Sequence, residues 1–409
     1  MRVILSIGLG RLHFVDTASS LARANVEVLL ICGWVPRKPN SLLVKLASKI
    51  VGRDLSSGMK KRIIKVPGVR VCPLGFVEFF YHAVRVVGIK MKLPVRSVQV
   101  FAWRLFGCFS RRGIVHADIF HCRSGAGQGG AIATARKRGM KILVDHSALH
   151  PAISGRNLQE DYARWGQPLA ISPHLGVWEV VLEDCREADM IMVNANHIRD
   201  SFVEQGYSPA MIRVVHLGVR SDFFSLKKSY KVGATIRILY TGAFSILKGA
   251  EYTLETIRIL TDRGLSVQLD VYGSLDVPVA MRKRYEGLKI VYHGSVPQDD
   301  LKRALSSSDI YLFPSLADGC AQSGMEALAA GLPVVATYQS GLPITDGETG
   351  CVVPMKDPRT IADKIEWLNR HGTDRERIGR AAARLIREKY TWEKYAENVK
   401  KVYEELLVQ

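Results

Sequence analysis

Two carboxylates, Asp318 and Glu326, stand with seven residues between them in the stretch PSLADGCAQSGMEALAAGLPVVA, residues 314–336. Acids do not bind phosphate, but they accept hydrogen bonds from sugar hydroxyls. Between them Gly319, Ala321, Ser323 and Gly324 are small, and the strong helix formers of 325–330 follow directly. A helix N-terminus near Ser323 offers unpaired backbone N–H groups and a partial positive charge, which suit a diphosphate. Gly319, Ser323 and Gly324 are therefore candidate anion-binding positions. Lys248, just ahead of another predicted helix, is a point charge for the same group. The same acids also fit a turn cap and a favoured helix start, so the spacing alone leaves a purely structural reading open.

These side chains need a scaffold, and the pattern around them supplies one. The apolar run 310–313 predicts a buried strand, Gly331 and Pro333 stop the helix, and 333–336 predicts the next strand. Strand, glycine-containing loop, helix and strand form the unit of nucleotide-binding α/β sheets. A second such unit opens the chain: a strand over 2–7, the turn Gly8-Leu9-Gly10, a helix over 12–24 and a strand over 26–32. Only Gly-x-Gly of the dinucleotide fingerprint is present there. Predicted strands over 117–123 and 141–146 end in polar residues, where parallel sheets place their ligands. A further set begins at 235–240 and continues through Gly242, Lys248, 269–272 and 289–293, after a polar stretch over 225–234 that reads as a linker.

With Pro314-Ser315, Asp318-Gly319, the seven-residue spacing to Glu326, Gly331-Leu332-Pro333-Val334-Val335-Ala336, Asp346 to Gly350 and Val353-Pro354 in place, the sequence resembles the family-4 retaining glycosyltransferases, the glycosyl transferases group 1. The resemblance implies an α/β protein of GT-B type: two Rossmann-like domains facing across a cleft, with a C-terminal helix crossing back to the first. It implies an acceptor-binding domain over 1–224, a nucleotide-sugar-binding domain over 235–390 and a return helix over 391–409; the residues themselves mark 36–112 as a basic amphipathic insert in the first. It also implies a nucleotide-diphosphate-sugar as donor substrate, with no other cofactor. By the same resemblance Glu326 holds the ribose hydroxyls, Asp318 the sugar hydroxyls and Lys248 the diphosphate. Gly242 and Gly10 lie in turns beside the phosphates, and His146 reaches the transferred sugar. His146, Asp318 and Lys248 are thus the expected catalytic set.

The sequence departs from the family at informative points. Asp318 is one methylene shorter than the family glutamate, Ala243 stands where the family has an arginine, and the segment between Pro343 and Asp346 is short. In the family's Asp-x-x-His-x-His pattern, Asp118 and His121 match and Arg123 replaces the second histidine. The charge missing at Ala243 could come from Arg123 or Arg11.

At 409 residues, with 47% hydrophobic and 23% charged residues, the chain is long enough for two globular domains. Seven cysteines without paired Cys-x-x-Cys spacing argue against zinc or a disulfide framework and fit a reducing cytoplasm. No run of 18 uncharged apolar residues predicts a spanning helix. Of the net charge of +18, residues 36–112 hold +15, from 17 basic and two acidic residues. Phe79, Phe80, Tyr81, Phe101, Trp103, Phe106 and Phe109 interleave with them. That pairing of charge and aromatics fits an anionic membrane surface, while no nucleic-acid-binding motif accompanies it. No Asp-x-Asp lies in a suitable loop, so metal-independent chemistry is expected.

The expectation is a retaining, hexosyltransferase-type enzyme. It would act on a glycan or lipid-linked acceptor for cell-envelope synthesis, from the cytoplasmic face of a membrane. A phosphorylase or synthase of the same fold, and a catalytically weak partner that docks on membranes, are the alternatives.

Overall fold

The computed structural model describes residues 1–10, 13–35, 66–78, 80–81 and 95–409, the last stretch with side chains from residue 98 onward. Of the basic insert, 36–65, 79 and 82–94 lie outside the described residues, as does Arg11. The chain divides into two compact units. One comprises Met1–His146, Pro173–Met192 and Ala396–Gln409, the other Ser147–Ser172 and Val193–Tyr395.

The first sheet contains β1 (Arg2–Ser6), β2 (Glu27–Cys32), β3 (Val69–Pro73), β4 (Ile119–Arg123), β5 (Lys141–His146), β6 (Met190–Val193) and β7 (Ile212–Val214). Their order is β3-β2-β1-β4-β5-β6-β7. β1 pairs in parallel with β2 and β4, and β4 with β5. Such strands are covered on both faces, which is why Val3, Ile4 and Leu5 can be consecutive and all fully buried.

The second sheet contains β8 (Ile236–Thr241), β10 (Val267–Tyr272), β12 (Ile290–Gly294), β13 (Ile310–Phe313), β14 (Val334–Thr337) and β15 (Cys351–Val353). Their order is β12-β10-β8-β13-β14-β15, parallel at every pairing. Two short strands, β9 (Phe244–Ser245) and β11 (Leu275–Asp276), pair apart from it. Strand order reverses between β1 and β4 and again between β8 and β13. A doubly wound sheet opens a ligand crevice at the carboxyl ends of its strands at such a point.

Three segments pack differently from their place in the sequence. The helix Pro151–Arg164, inside the span 1–224, belongs to the second unit. Its buried Asp161 takes Lys356 Nζ at 2.7 Å and the Tyr252 hydroxyl, while Trp165 Nε1 donates to Glu251 at 2.8 Å. The stretch 225–234, read as a linker, is tied along the end of the helix Gln322–Ala330. Ser225 and Lys227 donate backbone N–H groups to Ala329 and Ala330, and the Tyr230 hydroxyl donates to the Gly331 carbonyl at 2.8 Å. The last helix is Trp392–Val408, and Ala396–Gln409 groups with the first unit, where buried Tyr403 hydrogen-bonds His121 at 2.7 Å.

Among the described residues no helix is long and apolar enough to cross a membrane. All seven cysteines are free thiols.

Candidate active site

In the second unit β13 carries a tyrosine, Tyr311, within a fully buried strand. A buried hydroxyl needs a partner, and Tyr311 finds two, Thr241 Oγ1 at the end of β8 and Ser323 Oγ, each at 3.0 Å. The tyrosine thereby ties the two strands of the β8/β13 crevice to the first turn of the helix Gln322–Ala330. That helix has Ala321 at its N-cap and no side-chain cap, so its leading N–H groups receive no side-chain oxygen. It begins one residue before the Ser323 start expected from sequence. Gly242 follows β8 directly with φ +118°, a conformation that favours glycine, and a side chain there would meet only Ser323 Oγ at 3.8 Å.

Lys248 and Asp318 form an ion pair with each other. Lys248 also lies over the Phe313 ring at 5.8 Å, and the second Asp318 oxygen accepts the Gly319 N–H at 2.8 Å. Asp318 is further fixed by His197, which donates to its carbonyl at 2.7 Å, and by its own N–H to the Gln339 carbonyl at 3.0 Å. Burial lowers the His197 pKa, against the pull of Asp318. Burial likewise pushes Glu326 up to about 7; Arg220 opposes the rise and Asp222 adds to it.

The small residues of the loop split into two kinds. A Cβ on Gly319 would stand 2.3 Å from the Ser147 carbonyl oxygen, and one on Gly324 2.7 Å from Leu342. Their smallness therefore serves close packing within the protein, whereas Gly242 leaves its side open.

In the first unit Gly8 and Gly10, both at positive φ, turn the chain after β1. Trp103 is wedged against this turn: a Cβ on Gly8 would lie 2.2 Å from its ring and one on Gly125 3.2 Å. Trp103 and Phe106 are buried, not part of the exposed aromatic surface grouped with them in the sequence, while Phe76, Phe80 and Phe101 are exposed. Asp145, at the end of β5, accepts from His13 at 3.0 Å and has His121 Nε2 at 3.7 Å. Burial would raise its pKa, but the two histidines outweigh that and hold it well below the usual range. His146 is buried and shares a 2.9 Å hydrogen bond with Ser124 Oγ. The loop after Ser124 is pinned by Asp184, which takes the N–H groups of Gly125 and Gly127 at 2.6 and 2.8 Å. Burial raises Asp184 to about 7, against those hydrogen bonds.

Sequence reasoning missed His197, Arg220, Asp184 and Ser124. Their partners are 22 to 121 residues away where a bond is formed, and no local pattern marks them. Tyr311 carried a signal, a hydroxyl inside an otherwise apolar strand. Among the described residues no group of three or more His, Cys, Asp or Glu is placed to hold a metal ion.

Residues 235–371 match the family model of the glycosyl transferases group 1. The amylovoran biosynthesis glycosyltransferase AmsK of Erwinia amylovora is 27% identical over 282 residues, covering 63% of each chain. The chain spans between about half and two thirds of the length of the first curated relatives it matches. Among solved structures, sucrose-phosphate synthase from Thermosynechococcus elongatus superposes with a TM-score of 0.65 at 17% identity, over 100% of both chains. Anabaena HepE in complex with UDP gives 0.61 at 14%, over 99% of this chain and 100% of that one. The chain is an α/β protein of the GT-B fold with two Rossmann-like units, and its residues 235–371 are similar to the glycosyl transferases group 1.

Proposed function

We propose that the chain is a retaining glycosyltransferase that takes a sugar from a nucleotide-diphosphate-sugar held by its second unit and passes it to an acceptor bound by its first. The observation that carries this reading is the convergence at the β8/β13 crevice. Tyr311 ties Ser323 at the uncapped helix start to the end of β8, Gly242 follows β8 directly, and Lys248, over the ring of Phe313, pairs with Asp318. The diphosphate takes the helix N–H groups and Lys248, Glu326 accepts from the ribose and Asp318 from the sugar. Lys248 is shared with Asp318 before the donor arrives, so the phosphates compete with a carboxylate for it. Attack then occurs from the face the phosphate leaves, with the departing oxygen taking the acceptor's proton. Positioning and charge stabilisation carry the rate. His146, buried against Ser124, shapes the wall next to the transferred sugar.

The relative that acts in amylovoran biosynthesis and the relative solved with UDP support a nucleoside-diphosphate donor and a cell-envelope glycan or glycolipid product. The test is turnover of a panel of nucleotide-sugars by the purified chain with chelator present, the product anomer read by proton NMR. A donor turned over with retention is expected. No turnover of any donor, inversion, or loss of rate in chelator would sink the corresponding part.

The acceptor is placed at an anionic membrane surface on the inner face, met through 36–112. The charge of +15 there and the exposed Phe76, Phe80 and Phe101 support this. Each engaged basic residue contributes about 1 kcal/mol near such a surface. The chain should sediment with vesicles of anionic lipid, leave them as salt rises, and lose binding when Lys60, Lys61, Arg62 and Lys65 are changed to Ser. Equal binding to neutral vesicles would remove the electrostatic part.

A further inference from the structure

Arg123 closes β4, directly across the strand-order reversal from the Gly8-Leu9-Gly10 turn that follows β1. Its guanidinium lies over the Trp103 ring at 5.1 Å and donates one N–H to the Leu9 carbonyl at 3.3 Å. That carbonyl is the one hydrogen-bond acceptor it meets among the described residues, which leaves most of its five donors unused. No carboxylate stands within ion-pair distance of it among the described residues. The nearby acid, Asp145, is taken up by His13 and His121. Arg123 as a whole residue is only partly exposed, and burial of its guanidinium lowers the pKa to about 10, with Asp145 opposing, so it stays charged at neutral pH. The adjoining Gly10, at φ +108°, has no side chain, and a Cβ there would come no closer than 3.6 Å to the Arg123 Nη1.

A rigid, stacked, unpaired guanidinium is therefore presented beside bare backbone at the carboxyl ends of two parallel strands, where doubly wound sheets take ligands. A residue there only to brace the Leu9 carbonyl would not need a charge, and a buried charge is costly without an anion.

We propose that Arg123 is a specificity-determining residue of the first unit that binds a phosphate group on the acceptor, so that the acceptor class is a phosphorylated polyol or sugar, soluble or lipid-borne. This rests on the first unit being the acceptor unit. The phosphate is recognised by two guanidinium N–H groups in the bidentate geometry that arginine suits.

The probes are glycerol 3-phosphate against glycerol, and vesicles of phosphatidic acid against phosphatidylcholine. Each is titrated into wild type, Arg123→Gln and Arg123→Lys, with thermal melting as the folding control. Wild type should bind one of the phosphate probes and not its neutral partner. Arg123→Gln should weaken that binding by about 10- to 100-fold, and Arg123→Lys should retain part of it. Loss on glycerol 3-phosphate assigns the phosphate to a soluble acceptor; loss on vesicles alone assigns it to a lipid. The proposal is overturned if no phosphate probe binds wild type, or if Arg123→Gln lowers the melting temperature while leaving the preference for phosphate over its neutral partner unchanged. Titration of UDP into wild type reads the donor side separately, so failure of the glycosyltransferase reading and failure of this one give different results.

Discussion

At the β8/β13 crevice the opposite charges are spent on each other, Lys248 against Asp318. At the β1/β4 crevice the acid is spent on histidines, and the cation is left to a carbonyl and an indole face. The same strand order thus presents two different surfaces. The second unit offers an uncapped helix start and a lysine, Lys248, that is already neutralised by Asp318, and the first offers an unneutralised cation beside a glycine turn. A donor diphosphate at the second must displace a carboxylate, whereas an anion at the first displaces nothing charged.

The largest test of this contrast removes charge from the second crevice. Lys248→Ala and Glu326→Ala should each lower turnover by one to several orders of magnitude, the scale of about 3 kcal/mol lost with a charge-stabilising group. Wild-type turnover at limiting and saturating donor in both folded variants would misplace the nucleotide. Packing in the first crevice comes next. Gly8→Ala sets a Cβ against the Trp103 ring at an unfavourable φ and should cost about 2–3 kcal/mol, read by denaturant unfolding. An unchanged midpoint would mean that Trp103 is not wedged there.

Glu326 gives a pH test. Its pKa stands at about 7 in the folded chain, above the ordinary glutamate value. Ribose hydroxyls need the ionised form as acceptor, so nucleotide binding pulls the proton off. Affinity should rise as pH goes from below to above that value and then level, and Glu326→Gln should remove that part of the slope. A slope identical in the variant would take Glu326 out of the ribose contact.

The smallest effect is the most discriminating. Asp318→Asn frees Lys248, so nucleoside-diphosphate affinity should increase by a few-fold, since partly exposed ion pairs contribute under about 1 kcal/mol. Turnover should fall at the same time, and Asp318→Glu should alter sugar preference more than nucleotide affinity. Loss of affinity in Asp318→Asn, or equal loss for every donor sugar, would make Asp318 a turn cap.

The second crevice was legible in the sequence because it is local: β13, the loop, the helix and β14 are consecutive, and periodicity and stop residues mark each. What the loop residues do there was not legible. The Lys248–Asp318 pair spans 70 residues, and Gly319 reads as ligand space in the sequence although the Ser147 carbonyl fills it. The first crevice was harder. Arg123 was visible as a departure from the family pattern, but its stacking on Trp103 was not, since an aromatic among basic residues reads equally as surface. Nor could periodicity place 147–172 with the second unit, because the buried Asp161 that docks it looks in the sequence like any polar residue of an exposed helix.

The most direct measurement is calorimetric titration of UDP, GDP and ADP into wild type, Lys248→Ala and Glu326→Ala. At least one nucleoside diphosphate should bind wild type and bind both variants about tenfold or more weakly. Equal affinity in all three proteins, or no binding of any nucleotide to wild type, would contradict the assignment of the β8/β13 crevice as the donor site.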